Sequence, residues 1–110
     1  MLYNTYKILV SYISRRNNLF ILSLQLILCK DKDGKIGMRV NNVDNGIFVC
    51  LVRQNSPAAL AGLRFGDQIL SINDVSVAGY TMKQVHKIFR NADINGIKVI
   101  VRDRSVTYSF

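Results

Sequence analysis

Few residues in this chain could do chemistry. Its 110 residues hold one histidine (His86), two cysteines (Cys29 and Cys50) and seven acids, all of them aspartate. With no glutamate and a single imidazole, the usual acid–base pairs and His-rich metal sites are missing. A Cys–His nucleophile would need His86 beside Cys29 or Cys50, but each cysteine falls in an apolar, strand-like stretch where a buried, inert thiol is expected. Asp31-Lys32-Asp33-Gly34 has the look of a calcium loop, yet its glycine comes too early and Asn42 stands where the twelfth-position carboxylate belongs. No GxxxxGK[ST] phosphate loop occurs. Neither a metal nor a cofactor is implied, and no residue set points to catalysis.

The remaining pattern is one for binding. Lys35-Ile36-Gly37-Met38 follows the charged loop and opens a strand, with a glycine between two apolar residues. Gly37 lets the backbone bend so that consecutive amides converge. Such a nest suits a carboxylate, and the flanking side chains would line a pocket for whatever carries it. A bulky residue at position 37 is expected to block that convergence while leaving the fold intact.

Short strands with turn punctuation must position this loop. Strands are expected over Leu24–Cys29, Ile36–Val40, Ile47–Val52, Asp67–Ile72, Val75–Val77 and Ile97–Arg102, with turns at Asn45-Gly46 and Asn73-Asp74. Ser56 as N-cap, Pro57 at the first helical position and Gly62 as stop mark a single helical turn. One longer helix runs from about Met82 to Ala92 with Thr81 as N-cap. Val85, Ile88 and Ala92 make its core stripe, and Lys83, Lys87 and Arg90 a basic one. Met82, His86 and Phe89 form a third stripe, which fits a helix walling a groove on one side.

The chain is long enough for one domain, and at 49% apolar residues it can bury a core. Fifteen cations against seven acids give a net charge of +8, which favours an anionic partner. The aromatics sit among apolar residues rather than between the basic ones, which argues against nucleic acid. Two cysteines are too few for a disulfide scaffold, so a reducing, cytoplasmic compartment is expected. Residues 1–23 contain three of the cations and no acid, in two apolar clusters too short for a membrane span. They read as an N-terminal extension, an added strand or helix.

The order of the parts is more specific than any one of them. LILCKDKDGKIGMRV (26–40), DNGIFVCLVRQNSPAALAGLRFGDQILSIND (44–74), AGYTMKQVHKIFR (78–90) and IKVIVRDR (97–104) together resemble a PDZ domain, over residues 24–104. The resemblance implies a mainly β fold with two helices: a small, partly open antiparallel barrel of five to six strands, capped by one short and one long α-helix. It implies a scaffold or adaptor module that takes the C-terminal peptide of a partner, above all a membrane protein, by β-strand addition along Ile36–Asn41. The amides of Ile36, Gly37 and Met38 would hold the terminal carboxylate. Lys30, Lys32 or Lys35 would assist, and Ile36, Met38, Val40 and Phe89 would receive the last side chain. Arg39, Val40, Met82, His86 and Phe89 complete the groove.

Members that prefer Ser or Thr two residues before the ligand terminus carry histidine at the start of the second helix. Met82 stands there in this chain, so a hydrophobic-x-hydrophobic ligand is expected. Members similar to this chain are associated with phosphoinositides. That gives the alternative of a peripheral plasma-membrane module using Lys30, Lys32, Lys35, Arg39, Lys83, Lys87 and Arg90. The C-terminal tail, residues 105–110, ends in Tyr108-Ser109-Phe110 and fits the same ligand pattern, which implies weak head-to-tail self-association.

Overall fold

The computed structural model describes the backbone of residues 8–14 and 19–102 and the side chains of residues 23–102. The tail at 105–110, with its expected docking, lies outside them. Two strands come first, β1 (Ile8–Ser14) and β2 (Leu19–Leu28), paired antiparallel from Ile8↔Gln25 to Ser14↔Leu19. Then follow β3 (Met38–Val43), β4 (Gly46–Val52), the short helix α1 (Pro57–Ala61), β5 (Gln68–Ile72) and β6 (Val75–Ser76). Helix α2 (Met82–Asn91) and β7 (Ile97–Arg102) complete the order. The strands form one antiparallel sheet in the order β1-β2-β7-β5-β4-β3, with β6 on β5. Among the described residues, strand β3 therefore ends the sheet and pairs only with β4.

Alternation decides which faces turn inward. Ile97, Val99 and Val101 of β7 are buried, as are Leu26 and Leu28 of β2 and Met38 and Val40 of β3. Ile47, Val49, Ile69 and Ile72 complete the sheet's inner face, and Val85 and Phe89 of α2 and Ala58 and Ala61 of α1 close over it. Helix α2 packs against β3 and α1 against β2.

Local chemistry sets the corners. Asp44 and Asn45 (φ 48° and 65°) form the two-residue link from β3 to β4, and Asn73 and Asp74 (φ 48° and 68°) the link from β5 to β6. Paired left-handed residues match the twist of a tight hairpin, and Asn and Asp tolerate them best after glycine. The first turn thus sits one residue earlier than Asn45-Gly46, because Gly46 already pairs with Val43. Ser56 accepts from the Ala59 N–H, Pro57 begins α1, and Gly62 ends it at φ 99°. Thr81 and Gln84 form a reciprocal capping box at the start of α2. The far end of α2 is closed by Lys30, whose Nζ donates to the carbonyls of Arg90 (3.0 Å) and Ala92 (2.6 Å). An ammonium there satisfies orphan carbonyls and complements the helix dipole.

Two expectations change. Both cysteines are exposed rather than buried. Cys29 lies one residue past the end of β2. Cys50 falls where the pairing slips from Arg39↔Leu51 to Val40↔Val49, so it is the extra residue of a β-bulge and turns outward. On α2 the core contact is made by Val85 and Phe89, whereas Ile88 and Ala92 are only partly buried. The inward face is rotated towards the groove stripe, because the helix packs over β3 at the sheet edge.

The capping box carries α2 alone at its exposed start. Thr81→Ala should lower stability by about 1 kcal/mol, read as an earlier urea midpoint with an unchanged slope.

Candidate functional site

A groove of about 900 Å³ opens between the loop before β3 and the C-terminal half of α2. It brings together Lys35, Ile36, Gly37, Met38 and Arg39 on one side and His86, Phe89 and Arg90 on the other. The preceding loop is self-contained. The Asp31 carboxylate accepts from the N–H groups of Asp33 (2.9 Å) and Lys35 (2.8 Å) and so holds the turn together.

The backbone of the loop is oriented by what its carbonyls bond. Lys35 O accepts from Asp31 N–H (2.8 Å), Ile36 O from Ala58 N–H (3.0 Å) and Gly37 O from Arg53 N–H (2.8 Å). In a planar trans peptide, the next N–H points the opposite way. The N–H groups of Ile36, Gly37 and Met38 therefore point away from Asp31, Ala58 and Arg53 respectively, and all three residues line the groove. Gly37 has φ +84°, and a Cβ placed on it would overlap Ser56 Cβ and stand 2.7 Å from Ser56 Oγ. The loop is pressed against the N-cap of α1, with Ser56 Oγ donating weakly to Gly37 O at 3.4 Å.

This contact corrects the expectation that a side chain at position 37 would spare the fold, because it would displace the residue that caps α1. The strip Arg53–Pro57, which also borders the groove, was not singled out for the site from sequence. Its only signal was Ser56-Pro57 as a helix start.

The apolar part of the lining is buried at Ile36, Met38 and Phe89, whereas Val40, expected beside them, is buried in the core and outside the groove lining. Met82 stands 44% exposed at the first turn of α2 and outside the groove lining, one turn from His86. Lys32, Lys35, Lys83, Lys87 and Arg90 are exposed, but only Lys35 and Arg90 of these line the groove, and Lys30 is engaged on the end of α2. His86 is half-buried, and desolvation, followed by the charges of Arg39 and Arg90, pushes its imidazole below the ordinary 6.5. Among the described residues no cluster could hold a metal ion, and no helix is long and apolar enough to cross a membrane.

A loop of outward-turned amides, an open strand edge and a helical wall recur together in one family, and the model of the PDZ domain matches residues 25–101. The chain belongs to the PDZ family. Syntenin-1 of Homo sapiens is 54% identical over 80 residues, covering 73% of this chain and 27% of that protein. Syntenin-2 of Mus musculus is 45% identical over 95 residues, 80% of this chain and 32% of that protein. The chain thus spans roughly a third or less of these relatives. Among solved structures, the PDZ domain of choanoflagellate SHANK1 bound to a GIRK3 peptide superposes with a TM-score of 0.66 at 24% identity. That match covers 74% of this chain and 92% of the other, and it supports the fold.

Two measurements probe this PDZ groove. Gly37→Ala should cost more stability than Gly34→Ala: both positions have positive φ, but a Cβ on Gly34 meets nothing within 4 Å. The Gly37 variant should lose about 1–3 kcal/mol, and the gap between the two isolates the Ser56 contact. The second concerns His86. Its folded pKa lies below the unfolded 6.5, so the unfolded chain binds more protons as pH falls through that value. Its contribution is therefore intact above 6.5 and is lost on acidification. Urea midpoints from about pH 8 down to 5 should fall less steeply for His86→Gln than for the wild type.

Proposed function

We propose that this PDZ domain binds the free C-termini of partner proteins whose terminal and third-last residues are both apolar. The supporting observation is the orientation of the Ile36, Gly37 and Met38 amides beside the open edge of β3. A terminal carboxylate satisfies converging N–H donors, and charge-assisted bonds of this kind are stronger than neutral ones. The chain behind it adds as a strand beside β3, giving main-chain bonds to the edge and alternate side chains to the groove. Ile36, Met38, Val40 and Phe89 receive the last side chain. The third-last residue meets the start of α2, where Met82 offers no partner for a hydroxyl and the neutral His86 sits one turn further on. The role is that of a scaffold or adaptor element, not an enzyme.

A second reading has its own support. Lys32 and Lys35 before β3 and Lys83 and Lys87 on α2 are exposed and have no carboxylate partner among the described residues. Basic residues near an anionic bilayer contribute about 1 kcal/mol each. Peripheral attachment to phosphoinositide-containing membrane at the cytoplasmic face would bring the groove to the tails of membrane proteins.

Fluorescence anisotropy with a peptide ending apolar-x-apolar should show saturable binding that C-terminal amidation abolishes. Peptides ending Ser/Thr-x-apolar should bind more weakly, and Met82→His should narrow or invert that order. A wild-type preference for Ser or Thr would move the reading role to His86. Sedimentation with vesicles containing phosphatidylinositol bisphosphate, at two salt concentrations, separates the lipid reading from the peptide one.

A further inference from the structure

Strand β3 alternates between two environments. Met38 and Val40 are buried, while Arg39 between them is exposed on the opposite face. Gly37 O bonds back to Arg53 N–H, so the Met38 N–H faces the open edge. By strand alternation Met38 and Val40 present their backbone groups to an added strand, and Arg39 presents its own to β4. An added antiparallel chain whose carboxylate sits on the loop places its last residue by Met38 and its third-last by Val40. Its penultimate residue then lies opposite Arg39, and cross-strand partners share a face. Both outer side chains project away from the apolar floor.

The electrostatics there are one-sided. Arg39 lines the groove and is paired across β3–β4 with Leu51, an exposed apolar residue that offers it no counter-charge. Arg39, from the opposite side of the groove, and Arg90, on the same helix, both lower the pKa of His86, so the positive field of Arg39 reaches across the groove. Arg53 borders the same space. Asp31, the one acid on this lining among the described residues, has an oxygen committed to the N–H groups of Asp33 and Lys35. No carboxylate pairs with Arg39 or Arg53 among the described residues.

We infer that the groove selects C-terminal peptides with a carboxylate side chain at the penultimate position, held by Arg39. The inference rests on the peptide reading above and names the ligand class for the same site. An aspartate or glutamate there supplies the counter-charge that the domain lacks. A lysine there is repelled by Arg39, with His86 and Arg90 across the groove.

The test uses three peptides with identical apolar last and third-last residues and Glu, Gln or Lys between them. Each is titrated against the full chain and against Arg39→Gln and Arg39→Glu, with thermal melts confirming that both variants fold. In the wild type Glu should bind about two- to fivefold more tightly than Gln, and Lys more weakly than either. The gap should shrink at high salt. It should vanish in Arg39→Gln and reverse in Arg39→Glu. A wild-type series indifferent to the penultimate charge, or one whose order survives Arg39→Gln, overturns the assignment of Arg39. Amidated peptides report separately on the carboxylate loop. Binding that ignores amidation overturns the underlying peptide reading, whereas amidation-sensitive binding with a flat charge series overturns only the Arg39 inference.

Discussion

The segment before β3 lies so close to the first turn of α1 that only a glycine fits between them. Gly37 meets the N-cap Ser56, and the carbonyls of Lys35, Ile36 and Gly37 are bound by Asp31, Ala58 and Arg53. Once those acceptors are used, peptide planarity turns each of the next three N–H groups away from the partner of the carbonyl before it. The polarity of the groove is thus a by-product of how the loop is anchored from behind. Backbone donors held this way need no reorganisation when an anion arrives, which removes part of the ordering cost of binding.

The same anchoring keeps β3 at the end of the sheet. An exposed edge is a hazard for uncontrolled pairing, and proteins commonly blunt it with charge, bulges or a covering element. Here α2 covers one flank, Arg39 places a cation on the other, and the bulge at Cys50 disturbs the ladder behind it. Among the described residues the edge itself is left unpaired. Helix α2 can serve as that flank because both its ends are held, by the Thr81–Gln84 box and by Lys30.

Much of this architecture was legible in the residues. Ser56-Pro57 and Gly62, Thr81, and the alternation of Ile97–Arg102 each encode structure through local rules: a cap, a left-handed stop, a two-residue period. Gly37 stood out for the same reason, since its freedom of φ is a property of the residue alone. Long-range facts were not legible. The press of Ser56 on Gly37 joins residues nineteen apart in sequence, and no periodicity marks it. Lys30 read as a ligand contact because its charge was visible and its reach to the end of α2, sixty-two residues on, was not. The outward turn of Cys50 depends on a register slip against β3, which an apolar run of the form Gly-Ile-Phe-Val-Cys-Leu-Val conceals.

The pairing of β2 with β7 carries a consequence for how such a domain sits in a longer polypeptide. Ser23 stands opposite Arg102 and Leu24 opposite Val101, so the path into the domain and the path out of it run side by side. In the sheet order β5 and β4 separate that doorway from β3. A chain that arrives and departs through one doorway can be spliced into a larger protein like a bead on a string. Tension or a neighbouring domain at the doorway then pulls on a strand pair that is not paired with the β3 edge.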